Sequence, residues 1–296
     1  MRAPPASEAP SRVAFILMHG PLILLSPAKT LNFEASLSVA LAAAKPTAPR
    51  FPSQTSTLAS TLAKLSKANL KSMMSLSDNL AALNHERFSD FDAQTPRMAI
   101  GAFEGMAYQT LDAPTLGKKE LDYLQSNLRI LCGMYGVLRP YDEIRPYRLE
   151  MSTKLSVGDA PNLYQFWGDS LTDSINAESP DWVLNVASAE YSKSIKMKSV
   201  TAPVITASFP GPAVYAKQAR GEITRFCCER KVTKPEELRA FTGVNGAWAF
   251  VEGDSDATNL VFKRDASAEK KPAKAAAKSK AEAEPAATSA KSRRKK

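Results

Sequence analysis

Apolar positions recur at two spacings along the chain. The run LILLS at 22–26 is short, almost wholly apolar and stopped by Pro27, which predicts a buried strand. WVLNVAS at 182–188 predicts a second strand, VITAS at 204–208 a third, and 248–251 and 259–262 two closing strands. Elsewhere the spacing is helical. In 57–75 and 78–91 leucines recur three or four positions apart (Leu58, Leu62, Leu65; Leu76, Leu80, Leu83), with Ser77 or Asp78 as N-cap of the second. Residues 118–131 align Leu121, Leu124, Leu128 and Leu131; 163–175 turns Phe166, Trp167, Leu171 and Ile175 inward; 214–230 is a long helix. Thr233 caps a short helix over 235–241, where proline and acids suit a first turn. Strands and helices alternate without a repeat or a glycine-rich phosphate loop. The pattern predicts a mixed α/β (α+β) fold, a single compact body over residues 21–264.

The ends read differently. Residues 1–20 are rich in Ala, Pro and Ser and read as a disordered extension, with organelle targeting as the alternative. Residues 265–296 are a Lys/Ala-rich, aromatic-free stretch, read as a disordered basic tail; its SRRKK end allows a nuclear signal or a DNA-grazing arm. This tail holds ten Lys/Arg against four Asp/Glu, which leaves only +3 of the chain's +9 for residues 1–264. A nucleic-acid surface on the body must therefore be a local patch.

Composition narrows the classes. With 44% hydrophobic and 23% charged residues the chain suits a globular protein, and no run of eighteen apolar residues offers a membrane span. Cys132, Cys227 and Cys228 make no disulfide framework, which fits a reducing, cytoplasmic compartment. The two histidines, His19 and His85, lie far from cysteines and acidic clusters. That spacing argues against a zinc site or a Ser-His-Asp triad, and no metal or cofactor is expected.

Four polar constellations interrupt the pattern. SPAKT puts Ser26, Lys29 and Thr30 at a strand's carboxyl end, where open sheets place ligands, and Lys29 suits a phosphate. A plain strand-ending turn with a solvated lysine is the alternative. The second is GMYGVLRPYDEIRPYRLEM, 133–151. Gly133 and Gly136 follow the 118–131 helix and read as a helix-hairpin-helix-like turn that brings backbone N–H groups to phosphate oxygens. Arg139, Arg145 and Arg148 would extend that track, and Tyr135, Tyr141 and Tyr147 would stack on bases. Alternatively, Asp142, Glu143 and Glu150 pair with the arginines and pin the loop. In the third, Asn185, Ser188, Glu190, Tyr191, Lys193 and Lys196 cluster after a strand, as acid/base equipment or as a capped helix start with surface lysines. In the fourth, Lys217, Arg220 and Thr224 share a helix face that suits a polyanion or plain solvent. Gly221 beside them costs a helix about 1 kcal/mol relative to Ala, which points to close approach by another backbone or a ligand. Asp169 and Asp173 form a like-charge pair that calls for Arg or Lys from elsewhere.

Together LILLSPAKTL (22–31), YGVLRPYDEIRPYRLEM (135–151), LYQFWGD (163–169), NVASAEYSKSI (185–195), YAKQARG (215–221) and VFKR (261–264) resemble the YaaA peroxide-stress protein family over about 22–264. The resemblance implies a mixed α/β fold with a positively charged cleft, a helix-hairpin-helix-like element at 131–138, DNA binding, and a role in limiting oxidative damage and free iron under hydrogen peroxide. It supplies no catalytic set. The chain departs from the family pattern at FPGP, 209–212, where a more basic strand is usual, and at Trp248, where tyrosine is usual.

The expected function is therefore DNA binding, to duplex phosphates with little sequence preference. Its contacts would be Ser26, Lys29, Thr30, Gly133, Tyr135, Gly136, Arg139, Arg145, Arg148, Lys193, Lys217 and Arg220. The alternative is an enzyme acting on a nucleotide or nucleobase, with Lys29, Glu190, Tyr191 and Lys193 as catalytic candidates. A deep pocket holding Glu190 and Lys29 favours the enzyme; an open basic groove along 131–148 and 217–225 favours DNA.

Overall fold

A computed structural model describes residues 20–265; the extension and tail expected at the two ends lie outside these residues, apart from Gly20 and Asp265. In chain order the strands are β1 (Pro21–Leu25), β2 (Thr30–Leu31), β3 (Arg97–Met98), β4 (Phe103–Glu104), β5 (Leu128–Cys132), β6 (Gly136–Leu138), β7 (Glu143–Ile144), β8 (Trp182–Asn185), β9 (Val204–Ser208), β10 (Trp248–Phe250) and β11 (Asn259–Arg264). The α-helices are α1 (Val39–Ala42), α2 (Pro52–Ala63), α3 (Lys67–Met74), α4 (Asp78–Ser89), α5 (Ala99–Ala102), α6 (Met106–Leu111), α7 (Lys118–Asn127), α8 (Leu163–Trp167), α9 (Ser170–Asn176), α10 (Ala189–Ser192) and α11 (Ala213–Arg230).

The fold is a mixed α/β body on a seven-stranded sheet of order β10-β11-β9-β8-β1-β5-β6. The five inner strands are parallel, and β6 and β10 close the edges antiparallel. Strands β1, β5 and β8 are buried along their whole length, which is why β1 and most of β8 read as apolar runs and not as alternating ones, while β5 carries the buried Arg129. β1 pairs with β5 on one side (Ile23 opposite Leu128) and with β8 on the other (Ile23 opposite Leu184). The chain leaves β1 toward β5 and leaves β8 toward β9, so the order reverses between β1 and β8. In an open α/β sheet the crevice beyond such a reversal, at the strands' carboxyl ends, is the default ligand site.

Two helices expected from the leucine pattern are broken. The 57–75 helix is α2 and α3, separated where Ser66 caps α3 with its hydroxyl. The 163–175 helix is α8 and α9, interrupted at Gly168 with φ +51°. A third correction reaches the site. The helix expected over 118–131 stops at Asn127, and Leu128 and Leu131 instead fill the sheet as part of β5. The Gly133–Gly136 turn consequently joins two antiparallel strands, Cys132 opposite Gly136, and is a β-hairpin where a helix-hairpin-helix-like element was expected. The leucines at 121, 124, 128 and 131 satisfy helical spacing across a boundary that only pairing with β1 sets.

Candidate ligand site at the β1 and β8 ends

The carboxyl ends of β1 and β8 are tied together by their first polar residues. Ser26 Oγ accepts the Ser188 N–H at 2.8 Å and lies 3.2 Å from Ser188 Oγ. The Ser26 carbonyl accepts the Tyr108 hydroxyl from α6 at 2.9 Å. Asn185, at the end of β8, is consumed locally: its Oδ1 accepts the Ala187 N–H at 3.2 Å and the Ser192 hydroxyl at 3.0 Å, and its Nδ2 donates to Thr206. That leaves a shaped floor rather than a free amide.

Above this floor is a cavity of about 280 Å³ whose wall includes Ser26, Lys29, Thr30, Glu104, Tyr108, Ser188, Glu190, Tyr191, Lys217 and Arg220. Residues from three separate sequence constellations thus meet in one place. Glu190 sits in the first turn of α10, and its Oε1 accepts the Ser152 N–H at 3.0 Å and the Ser152 hydroxyl at 2.8 Å. The carboxylate is held in one orientation. Tyr108 and Tyr191 are buried, and burial pushes both phenols above their ordinary range, so they stay neutral.

Lys217 and Arg220 come from α11, and a glycine places them. A Cβ on Gly221 would lie 1.9 Å from the Ala107 carbonyl oxygen and 2.2 Å from Thr110 Oγ1 of α6. Only glycine lets α11 lie directly on α6, with Thr110 donating to the Gln218 carbonyl at 2.8 Å across the contact. The close approach expected from Gly221 is therefore to a backbone. Lys29 Nζ pairs with Glu150 at 2.5 Å. Among the described residues Lys217 has no ion pair, and Arg220 has neither an ion pair nor an acceptor for its buried Nε–H. Burial holds the Arg220 pKa below the ordinary guanidinium value.

The 133–151 stretch lies elsewhere, inside the body. Tyr135, Tyr141 and Tyr147 are 2%, 7% and 4% exposed, so the base stacking expected of them has no exposed ring to use. The Tyr135 hydroxyl accepts the Arg145 N–H at 2.8 Å, its ring meets Tyr147 edge-on at 5.4 Å, and the Tyr147 hydroxyl lies 2.8 Å from Cys132 Sγ. The arginines are engaged: Arg139 with the fully buried Asp142 at 2.8 Å, Arg148 with Glu150 at 3.1 Å, and Arg145 over the Phe91 ring at 5.9 Å. The pinning alternative holds for Arg139 and Arg148; Arg145 and Glu143 form no ion pair among the described residues, and Arg145 is held by a ring instead of an acid. Nor do the loop's glycines face outward. A Cβ on Gly133 would meet the Leu149 carbonyl oxygen at 2.6 Å, and Gly136, at φ +72°, packs against Leu171 and Trp167. Both admit neighbours of the core.

Lys193 does not line the cavity; it lies 4.9 Å over the Tyr164 ring, whose hydroxyl donates to the Glu190 carbonyl at 3.0 Å. Asp169 pairs with Lys196, the cationic answer its like-charged neighbour Asp173 called for. Thr224, expected on the basic face of α11, is buried and donates to the Arg220 carbonyl at 2.7 Å. Glu104 and Tyr108 were not anticipated. They fall in 97–116, where no periodic signal stands out; Gly105, whose Cβ would touch Ala28 at 3.0 Å, marks a close approach beside them.

An α/β protein with a small polar cavity at a sheet reversal is thus defined by structure alone. Comparison with known proteins sharpens the class. The family described as "Peroxide stress protein YaaA" matches residues 22–252, and the chain belongs to that family. It is 40% identical over 260 residues to a UPF0246 protein of Aliivibrio fischeri (strain MJ11), covering 82% of this chain and 98% of that one. To a UPF0246 protein of Maricaulis maris (strain MCS10) it is 42% identical over 257 residues, 82% and 95% of the two chains.

Proposed function

We propose that this member of the peroxide-stress family binds a nucleotide-sized anion in the β1/β8 cavity and acts on it as an enzyme. The observation that carries this reading is Arg220: a half-buried guanidinium with no ion pair among the described residues, facing a cavity that also holds Lys29 and Lys217. A cation withdrawn from water without a partner is unfavourable until an anion fills the site. Glu190, oriented by Ser152, lines the same cavity and could serve for proton transfer. Calorimetric titration with nucleoside monophosphates tests the reading. Arg220→Met should weaken binding about 10- to 100-fold, the range of a hydrogen-bonded charge pair; unchanged affinity refutes it.

A second reading, contact with duplex DNA phosphates as part of limiting oxidative damage, is favoured by the exposure of Lys29, Lys193 and Lys217 at and beside the mouth. Log affinity should then fall with log salt by about 0.9 per phosphate contacted. Binding that ignores salt, or that vanishes when the chain is ended at Arg264, counts against the body as a DNA surface.

A further inference from the structure

We propose that the basic segment 266–296 works at the mouth of the β1/β8 cavity, holding the backbone of a single-stranded nucleic acid whose end nucleotide occupies the cavity, an inference that rests on the cavity being an anion site.

The sheet fixes where that segment starts. Strands β1, β8, β9 and β11 are parallel, with Leu24, Asn185, Thr206 and Asn259 on one row across them. All four therefore end on the side that carries the cavity. Two strands separate β11 from β1, so their ends lie about 14 Å apart across the sheet. Ser26 stands two residues past the shared row and Arg264 five, which carries the end of β11 about 10 Å further out on the cavity side.

Two contacts hold the chain there. The Arg264 guanidinium lies 3.6 Å from the centre of the Tyr215 ring, in the first turn of α11. Lys217, two residues along that helix, is exposed in the cavity wall. The Asp265 N–H donates to the Ala247 carbonyl at 2.8 Å and ties the last described residue to the start of β10.

Residues 266–296 lie outside the described residues and beyond the family match, which ends at residue 252. They carry ten Lys/Arg against three Asp/Glu. Lys270 is five residues past Asp265 and, even fully extended, lies no farther than about 18 Å from it. Four more lysines follow by Lys280. The tether alone thus keeps positive charge beside the α11 wall of the cavity.

The cavity, about 280 Å³, has room for one nucleotide and not for stacked base pairs. A mononucleotide held by Arg220 and Lys217 leaves no charge outside. A strand that enters by one end keeps a phosphate for every further nucleotide, and these emerge beside the root of the segment. Because the segment is tethered, its contact with them is intramolecular and multiplies affinity without a second pocket.

The test is calorimetric titration of the full chain, over a range of salt concentrations, with thymidine 5′-monophosphate and with a 5′-phosphorylated oligothymidylate of about twelve nucleotides. The oligonucleotide should bind at least about tenfold more tightly than the mononucleotide. Replacing the ten Lys/Arg of 266–296 by Gln in the full chain should remove that advantage and leave mononucleotide affinity unchanged. It should also lower the salt slope by about 0.7 for each phosphate released. Arg220→Met, or Lys217→Met at an exposed position, should weaken both ligands by the same factor. Equal wild-type affinity for the two ligands overturns the proposal, as does an oligonucleotide advantage that survives neutralisation. So does a cavity variant weakened for the mononucleotide alone, since the segment would then hold the strand by itself. In these three cases the anion site stands. Loss of mononucleotide binding on neutralisation also overturns the proposal, because the segment would then act on the cavity and not on the strand. If the folded wild type, checked by its thermal transition, binds no mononucleotide, or if neither cavity substitution changes that binding, the anion site falls and the inference with it.

Discussion

Gly221→Ala separates two effects that have opposite signs. In an isolated helix the change is favourable, because alanine is about 1 kcal/mol better than glycine in a helix interior. In this protein the new methyl would lie 1.9 Å from the Ala107 oxygen and 2.7 Å from the Ala107 carbonyl carbon, both backbone atoms that cannot rotate away. Restoring ordinary contact requires α11 and α6 to part by about 1.5 Å, with overpacking strain of about 1–3 kcal/mol. Parting also stretches the Thr110 bond to the Gln218 carbonyl, now 2.8 Å, a contribution of about 1 kcal/mol. Set against the propensity gain, the net loss is about 1–3 kcal/mol, or roughly 2–12 °C in Tm for a body of this size. Because Lys217 and Arg220 lie within the turn before Gly221 on the same helix, anion affinity should fall together with stability. Differential scanning calorimetry reads the first and titration the second. A variant as stable as wild type or more so would show that α11 does not rest on α6 at this point, and would refute the placement of the two cations.

Three other outcomes follow from buried charge and thiols. Glu178 joins Arg129 and Arg50 in a largely buried cluster, and Glu178→Gln should destabilise by about 3–5 kcal/mol in urea unfolding, because it leaves Arg129 buried without its charge partner. Burial alone would raise the Glu178 pKa, but the hydrogen bonds and charges of Arg129 and Arg50 outweigh it and hold the carboxyl below its ordinary value. Its stabilisation is therefore complete above the unfolded pKa, about 4.3, and lost as pH falls through the lower folded value, so the variant should flatten the acid limb of the stability profile. Cys132, Cys227 and Cys228 are buried, and burial pushes Cys132 up to about 11, Cys228 up to about 12, and Cys227 upward as well. Thiol titration at pH 8 should find no fast-reacting group in the folded protein and three after denaturation; a fast thiol before unfolding would contradict the packing around them.

The sheet strands were legible because each fully buried strand must be apolar throughout, and LILLS and WVLNVAS have no competing helical reading. β5 was not, since Leu121, Leu124, Leu128 and Leu131 obey one period across α7 and β5. The hairpin misreading followed from that boundary. The candidate site was legible in pieces: Ser26, Lys29, Glu190, Lys217 and Arg220 each stood out by residue type beside a strand or on a helix face. Glu104 and Tyr108 did not, because no local spacing distinguishes them.

The sequence by itself determined the family, the α/β class, and the unusual density of charge and glycine at 133–151 and 215–221. Only the tertiary structure decided what those features do. Charge pairing is set by distance and orientation in space, which the loop's fold decides, so three arginines and three acids in one stretch are compatible with either a ligand or a brace. The fold supplies Asp142 to Arg139 and Phe91 to Arg145, and gives Glu150 to Arg148 and Lys29 together. It brings Arg220 against a cavity and gives it no partner among the described residues.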